Sequence, residues 1–401
     1  MLRIGFFLNL FEGWLGGVNY YRNLLTAICE NLSKDISPVV FLVSRNNDIL
    51  DGFPPVEVVR DSTFERLKMR WFMRKLNERF FDKNFVLEKL LIDNNIDLLS
   101  HSSFFGGPHS CLTVATERLP VIGWIPDFQH VHLADIFSEK EIRERDRGFR
   151  EICRKSSTVL LSSKSAQKDL ALFAPEYYHK SRVLQFVVKP LDYKNLADQS
   201  ELEHRYKFSG PYFYLPNQFW LHKNHSLVVN ALKILKDRGK KVTIIVTGNT
   251  GDYRNLNYYE QLLADTKNSE LLESFRILGL VPYRHMASLM YHSIAVINPS
   301  FFEGWSTTVE EAKSYGKRVI LSDISVHREQ NPENAVYFDP HDAEELSDIL
   351  WNDWNAYNLN DDKRFRKKAA EMFPERWKEF AEKYLALVME SKFNNQGGTL
   401  P

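Results

Sequence analysis

Long apolar runs are missing from this chain: none approaches the ~20 residues needed to cross a bilayer, so no membrane span is expected. Cysteine is scarce. Cys29, Cys111 and Cys153 are odd in number and show neither metal-ligand nor redox spacing. That excludes a disulfide framework and leaves no cysteine-based zinc site. Neither sign of charge is in excess, with 52 Lys+Arg against 52 Asp+Glu, and nothing global argues for nucleic acid as a partner. Repeats at solenoid periods and low-complexity tracts are also absent. The opening residues are too short for a signal peptide and read as a strand. Together these absences predict a cytoplasmic enzyme.

What is present is an ordinary globular composition, 44% hydrophobic and 26% charged, in 401 residues. That length allows two domains with substantial cores. Strand-like runs alternate with helical ones, as in parallel β/α architecture. The first series of runs is 3–9, 39–43, 97–101, 121–125 and 158–162. The second is 211–215, 242–247, 275–278, 295–298, 318–321 and 335–338. Two series predict two doubly wound domains, 1–188 and 189–374, with a crossover near Val188-Lys-Pro. A last helix over 375–392 has apolar residues at helical spacing.

The most informative stretch is Asn298-Pro-Ser-Phe-Phe-Glu303-Gly-Trp-Ser-Thr-Thr-Val-Glu310-Glu311. An apolar run ends in a loop carrying a carboxylate, then come helix-starting residues and a further carboxylate. Thr307 with Glu310, and Thr308 with Glu311, have capping-box spacing, so a helix is expected to begin there. Its first amides lack backbone partners and attract phosphate. Glu303 and Glu311 accept hydrogen bonds, as sugar hydroxyls require. Phosphate between two hydroxyl readers suggests a sugar nucleotide. The alternative is a capped surface helix whose glutamates serve only its dipole.

This segment resembles the signature of the retaining glycosyltransferases of family four. Their pattern is Pro-Ser, two residues, Glu-Gly-Phe-Gly-Leu-Pro, two residues, Glu-Ala. Pro299, Ser300, Glu303, Gly304, Glu311 and Ala312 match, while Trp305 replaces Phe and Ser306-Thr307-Thr308 replace Gly-Leu-Pro. The resemblance implies the GT-B fold, two Rossmann-like domains facing across a cleft, with the final helix returning to the first domain. It implies transfer of a hexosyl unit, with retention, from a nucleoside-diphosphate sugar to a hydroxyl of a glycan or lipid-linked acceptor. It also implies that Glu303 binds the donor sugar and Glu311 the ribose.

Other positions follow from the same resemblance. Gly16 and Gly17, between the first strand and a helix, would lie over the donor phosphates. Lys223 matches the family's diphosphate lysine, but the accompanying arginine is absent and Asn217 or Gln218 takes its place. Val281 lies where relatives receive the base. In Trp124-Ile-Pro126-Asp127-Phe-Gln-His130, proline stands where many relatives have a histidine. Asp127 is then the first choice for assisting the acceptor and His130 the second; an Asx turn and a packed histidine are the structural alternatives. Ser325-Val-His327-Arg-Glu329 reads as structural. No Asp-x-Asp pair occurs, so a metal-independent site without cofactor is expected, with phosphate neutralised by Lys223 and helix ends. A GT-B epimerase, a non-catalytic subunit and an inverting enzyme are the competing readings.

Residues 63–81 interleave cations with aromatics at helical spacing. They suit either an anionic membrane surface or a helix covering a sheet, with its arginines snorkelling to water.

Overall fold

The computed structural model describes residues 1–8, 15–42, 50–65, 67–80, 84–102, 119–252 and 254–395. The chain divides into two compact units, Met1–Val187 with Glu375–Pro401, and Val188–Pro374.

The first unit is built on seven strands: β1 Leu2–Leu8, β2 Ile36–Leu42, β3 Glu57–Val59, β4 Leu98–Ser102, β5 Val121–Ile125, β6 Thr158–Leu161 and β7 Ser181–Val183. Their order is β3-β2-β1-β4-β5-β6-β7, with parallel pairing throughout. The second unit has β8 Phe213–Leu215, β9 Ile244–Thr247, β10 Phe275–Gly279, β11 Val296–Asn298, β12 Val319–Ser322 and β13 Ala335–Phe338. These run β10-β9-β8-β11-β12-β13, again all parallel. Every strand expected from the sequence is present, and two are added, β3 and β7. Residues 9 and 43, placed in strands by sequence, lie outside the described residues.

Both faces of the second sheet are apolar, as a parallel sheet covered on two sides requires. Phe213, Leu215, Ile244, Val246, Ile297 and Ile320 join one core. Tyr212, Tyr214, Ile245, Val296, Val319 and Leu321 join the other. Period-2 alternation thus separates two apolar sets rather than core from solvent.

Three expectations are corrected. The helix after β1 begins at Leu15, so Gly16 and Gly17 stand in its first turn rather than in the preceding loop. The final helix runs unbroken from Leu359 to Asn395 with Pro374 inside it, where the sequence suggested a start near 375. The chain passes from one unit to the other at that proline. The helix Met69–Phe80 turns Arg74 inward and leaves Phe72, Met73 and Leu76 exposed, the reverse of a sheet-covering helix.

Within the first unit the C-terminal helix is tied down along its length. Trp377 Nε1 donates to Glu30 Oε2 at 2.9 Å, and Tyr384 hydroxyl donates to Ser100 Oγ at 2.9 Å. Arg182 pairs with Glu390, and Thr158 Oγ1 donates to Ser391 Oγ at 3.1 Å.

Candidate active site

In an open parallel sheet, ligands bind beyond the carboxyl ends of the strands where the order reverses. In the second unit that point lies between β8 and β11, and the loops after these two strands carry the signature residues. β8 leads to Asn217, which is buried; its Nδ2 donates to Asn298 Oδ1 at 3.1 Å. Gly248, just after β9, lets the loops come this close: a Cβ there would stand 2.3 Å from the Asn217 carbonyl, at a φ of +157°. Asn298 ends β11 and donates to Ser306 Oγ at 2.8 Å and to Glu303 Oε1 at 3.3 Å. Ser300 Oγ lies 2.6 Å from Asn298 Oδ1 and 2.8 Å from Glu303 Oε1. Side chains from two loops therefore form one buried polar network.

Lys223 and Glu303 close that network. Lys223 ends the 3₁₀ turn Leu221–Lys223 that precedes the helix His225–Asp237. Its Nζ donates to Glu303 Oε1 at 2.7 Å, with both side chains about nine-tenths buried. Burial alone would raise the Glu303 carboxyl. The Lys223 charge and the bonds from Lys223 and Ser300 outweigh it and hold the group below its ordinary value. Glu303 is therefore an anion in a mostly dry site, and Lys223 is the cation that keeps it so. Next to them His222 and His225 are buried, and desolvation drives both towards the neutral form, His225 to about 3.

The helix Thr307–Ser314 rises behind Glu303. Its N-cap is Ser306, whose Oγ accepts from Val309 N at 3.4 Å. The expected capping boxes on Thr307 and Thr308 are corrected accordingly: both threonines lie inside the first turn. Gln330 holds the cap from the other side. Its Nε2 donates to the Ser306 carbonyl at 3.0 Å and its Oε1 accepts from Ser306 N at 3.2 Å. Gln330 Nε2 also reaches Glu310 Oε1 at 3.1 Å. The Ser306 amide is thus already occupied. Among the described residues no acceptor meets the N–H of Thr307 or Thr308, and these remain for an anion. Gly304 and Trp305 precede them on the loop, half-buried. Glu311 is buried in the same helix, where its charge helps raise the Tyr315 phenol after burial has done so.

His327, assigned by sequence to structure alone, belongs beside this site. It is fully buried, and desolvation lowers its pKa against the opposing charge of nearby Glu303. Its Nδ1 meets the Ser322 carbonyl at 2.9 Å, so that nitrogen carries the proton. Nε2 then presents a lone pair and has no partner. No sequence spacing announces this role, because only the β12 turn brings position 327 beneath Glu303.

The remaining candidates belong to other elements. Val281 follows β10, half-buried against the Tyr212 core. In the first unit, Asp127 Oδ1 accepts from Gln129 N at 2.9 Å, an Asx turn opening the short helix Gln129–His132. His130 is a packed histidine: its Nε2 is 3.0 Å from Asp146 Oδ1 and its ring lies 5.1 Å from that of Phe149. Burial, then the Arg145 charge, lowers its pKa. Gly16 is open to solvent and Gly17 buried, both near the carboxyl edge of β1. Among the described residues no cluster of three His, Cys, Asp or Glu could hold a metal.

Two parallel α/β Rossmann-like units with this order of elements define the GT-B architecture. Solved structures share it along nearly their whole length. A glycosyltransferase from Rickettsia africae superposes with a TM-score of 0.69 at 16% identity, covering 99% of each chain. HepE from Anabaena, solved with UDP and glucose, gives 0.68 at 15% identity over 97% of this chain and 100% of its own. Residues 193–372, nearly all of the C-terminal unit, match the family described as glycosyl transferases group 1. A 142-residue segment is 30% identical to the O-antigen chain mannosyltransferase RfbU of Salmonella typhimurium, covering 35% of this chain and 38% of the relative. The match therefore spans under two-fifths of that relative's length.

Proposed function

We propose that the protein transfers a hexosyl unit from a nucleoside-diphosphate sugar to a hydroxyl acceptor, with retention and without metal or resident cofactor, in the building of a surface polysaccharide or glycolipid. The observation that carries this reading is the Lys223–Glu303 pair at the β8/β11 switch point, next to the two open amides of Thr307 and Thr308. The diphosphate would take Lys223 and those amides, while Glu303 and His327 Nε2 take sugar hydroxyls and Glu311 the ribose. As the donor's C1–O bond breaks, charge gathers on the leaving diphosphate, where a cation and helix amides stabilise it most. The acceptor oxygen bonds to C1 on the same face, and its proton leaves for the departing phosphate oxygen. The polysaccharide context is supported by the O-antigen mannosyltransferase segment, and a sugar-nucleotide donor by the UDP and glucose in HepE.

The test begins with thermal shifts in UDP-, GDP-, ADP- and CMP-sugars with EDTA present. A true donor raises Tm as RT ln(1 + [L]/Kd), and NMR of the product's anomeric proton reports retention. Lys223→Ala should lower turnover by at least ~100-fold. It should also cost about 1–3 kcal/mol, because a buried Glu303 loses its counter-charge. Adding Glu303→Gln should restore the stability and not the turnover. A Lys223→Ala protein with normal turnover would refute the assignment.

A further inference from the structure

The helix Met69–Phe80 is amphipathic in the wrong sense for a domain surface. Its exposed residues are Met69, Phe72, Met73, Leu76 and Phe80, at 75%, 47%, 49%, 54% and 69%. At 3.6 residues per turn these five fall within an arc of about 100°, a single apolar stripe. Leu67, two residues before the helix, is 81% exposed. Arg70 and Arg74 are held from the protein side. Arg74 is buried and its Nε donates to the Thr63 carbonyl at 3.2 Å; Arg70 pairs with Asp61 at 2.8 Å. A helix that covered the sheet would bury the stripe and expose the arginines. Here the protein spends arginine hydrogen bonds on holding the helix with its apolar side out.

We propose that this stripe docks the N-terminal unit on an anionic lipid surface. At helical spacing Arg70 and Lys75 fall on either side of the apolar strip, and exposed Lys68 precedes the helix, so cations border the strip. That combination complements anionic headgroups above an apolar layer. A second protein is a poorer fit. The 12-residue helix is about 18 Å long and ~10 Å across, a footprint of roughly 200 Å², well short of the ~800 Å² per partner of a specific protein interface. Among the described residues no helix is long and apolar enough to cross a membrane, so the contact is interfacial: phenylalanine, leucine and methionine enter the headgroup boundary and cations remain at the phosphates. The proposal stands independently of the chemistry in the C-terminal unit.

Flotation with vesicles of phosphatidylcholine, with and without phosphatidylglycerol, tests it on the full chain. Binding to the anionic vesicles is expected, at least tenfold weaker in 0.5 M salt and on pure phosphatidylcholine. Phe72→Ser with Leu76→Ser should reduce binding at least tenfold, as should Met73→Gln with Phe80→Ser. The wild-type melting temperature in both variants would show that they are folded. No binding of wild type to anionic vesicles would overturn the proposal, as would undiminished binding by folded variants. So would a dimer that these substitutions abolish while vesicles are ignored, since that assigns the stripe to a second copy. Failure of every sugar nucleotide to stabilise a protein that floats with vesicles would remove the transferase reading alone.

Discussion

Gln330 lies 24 residues beyond the Ser306 it holds, and its primary amide does what a neighbouring strand would do, pairing with both the N–H and the C=O of one residue. Replacing it by Ala leaves the Ser306 amide and Glu310 each short of a buried partner, at a cost of about 1–3 kcal/mol. Because the cap sets the direction of the Thr307 and Thr308 amides, we expect the donor KM to rise several-fold, with Gln330→Glu worse than Ala through repulsion at the Ser306 carbonyl and Glu310. Steady-state kinetics and a denaturant titration of each variant check this; a lost stability with unchanged donor KM would leave Gln330 a purely structural residue. At this scale Glu303 and Glu311 were legible as carboxylates beside a helix start, and the family resemblance added Gly304, since a loop-to-helix motif keeps its parts close in sequence. Gln330 and His327 were not, because nothing local in the sequence records which distant side chain will meet Ser306 or Glu303.

Among elements, β4 shows most clearly how burial sets a pH response. His101 lies near its end with φ +59°, fully buried. Tyr384 donates to Ser100 Oγ, leaving that hydroxyl's proton for His101 Nδ1 at 2.8 Å, so Nε2–H faces the Tyr20 oxygen at 2.6 Å. Desolvation lowers the ring's pKa to about 3. An unfolded chain takes that proton near 6.5. The unfolded state therefore binds more protons between about 6.5 and 3, and stability falls with pH in that window by up to ~1.4 kcal/mol per pH unit. His101→Asn keeps a residue that tolerates positive φ and removes the titration. Denaturant midpoints at pH 7 and pH 5 should then fall less in the variant than in the wild type; equal falls would count against this account. The element pattern itself was readable where runs were long and apolar. β3 and β7 escaped because three residues at a sheet edge, half in water, need little apolar character to pair. The helix Met69–Phe80 was recognised as amphipathic, but periodicity places two faces without saying which one points inward.

For the whole molecule, the last helix is the component whose place in the chain and place in the fold differ most. Residues from Glu375 onward cluster with a unit whose other strands end nearly two hundred positions earlier. Truncation after Pro374 should strip Trp377, Tyr384 and Val388 from the first unit and leave the second intact. Hydrogen exchange should show lost protection in β4 and β6 with protection kept in β8 and β11; uniform loss, or none, would contradict this division. Composition, run length and one signature sufficed to determine two parallel α/β units and a helix start at Thr307, since these depend on residues close in sequence. Three things were decided only by tertiary structure: the Lys223–Glu303 pair across 80 residues, the Gln330 clamp, and the outward turn of the Met69–Phe80 stripe. Each is a meeting of distant groups, and the free energy that selects such meetings comes from burial and hydrogen bonds that exist only once the sheet has assembled.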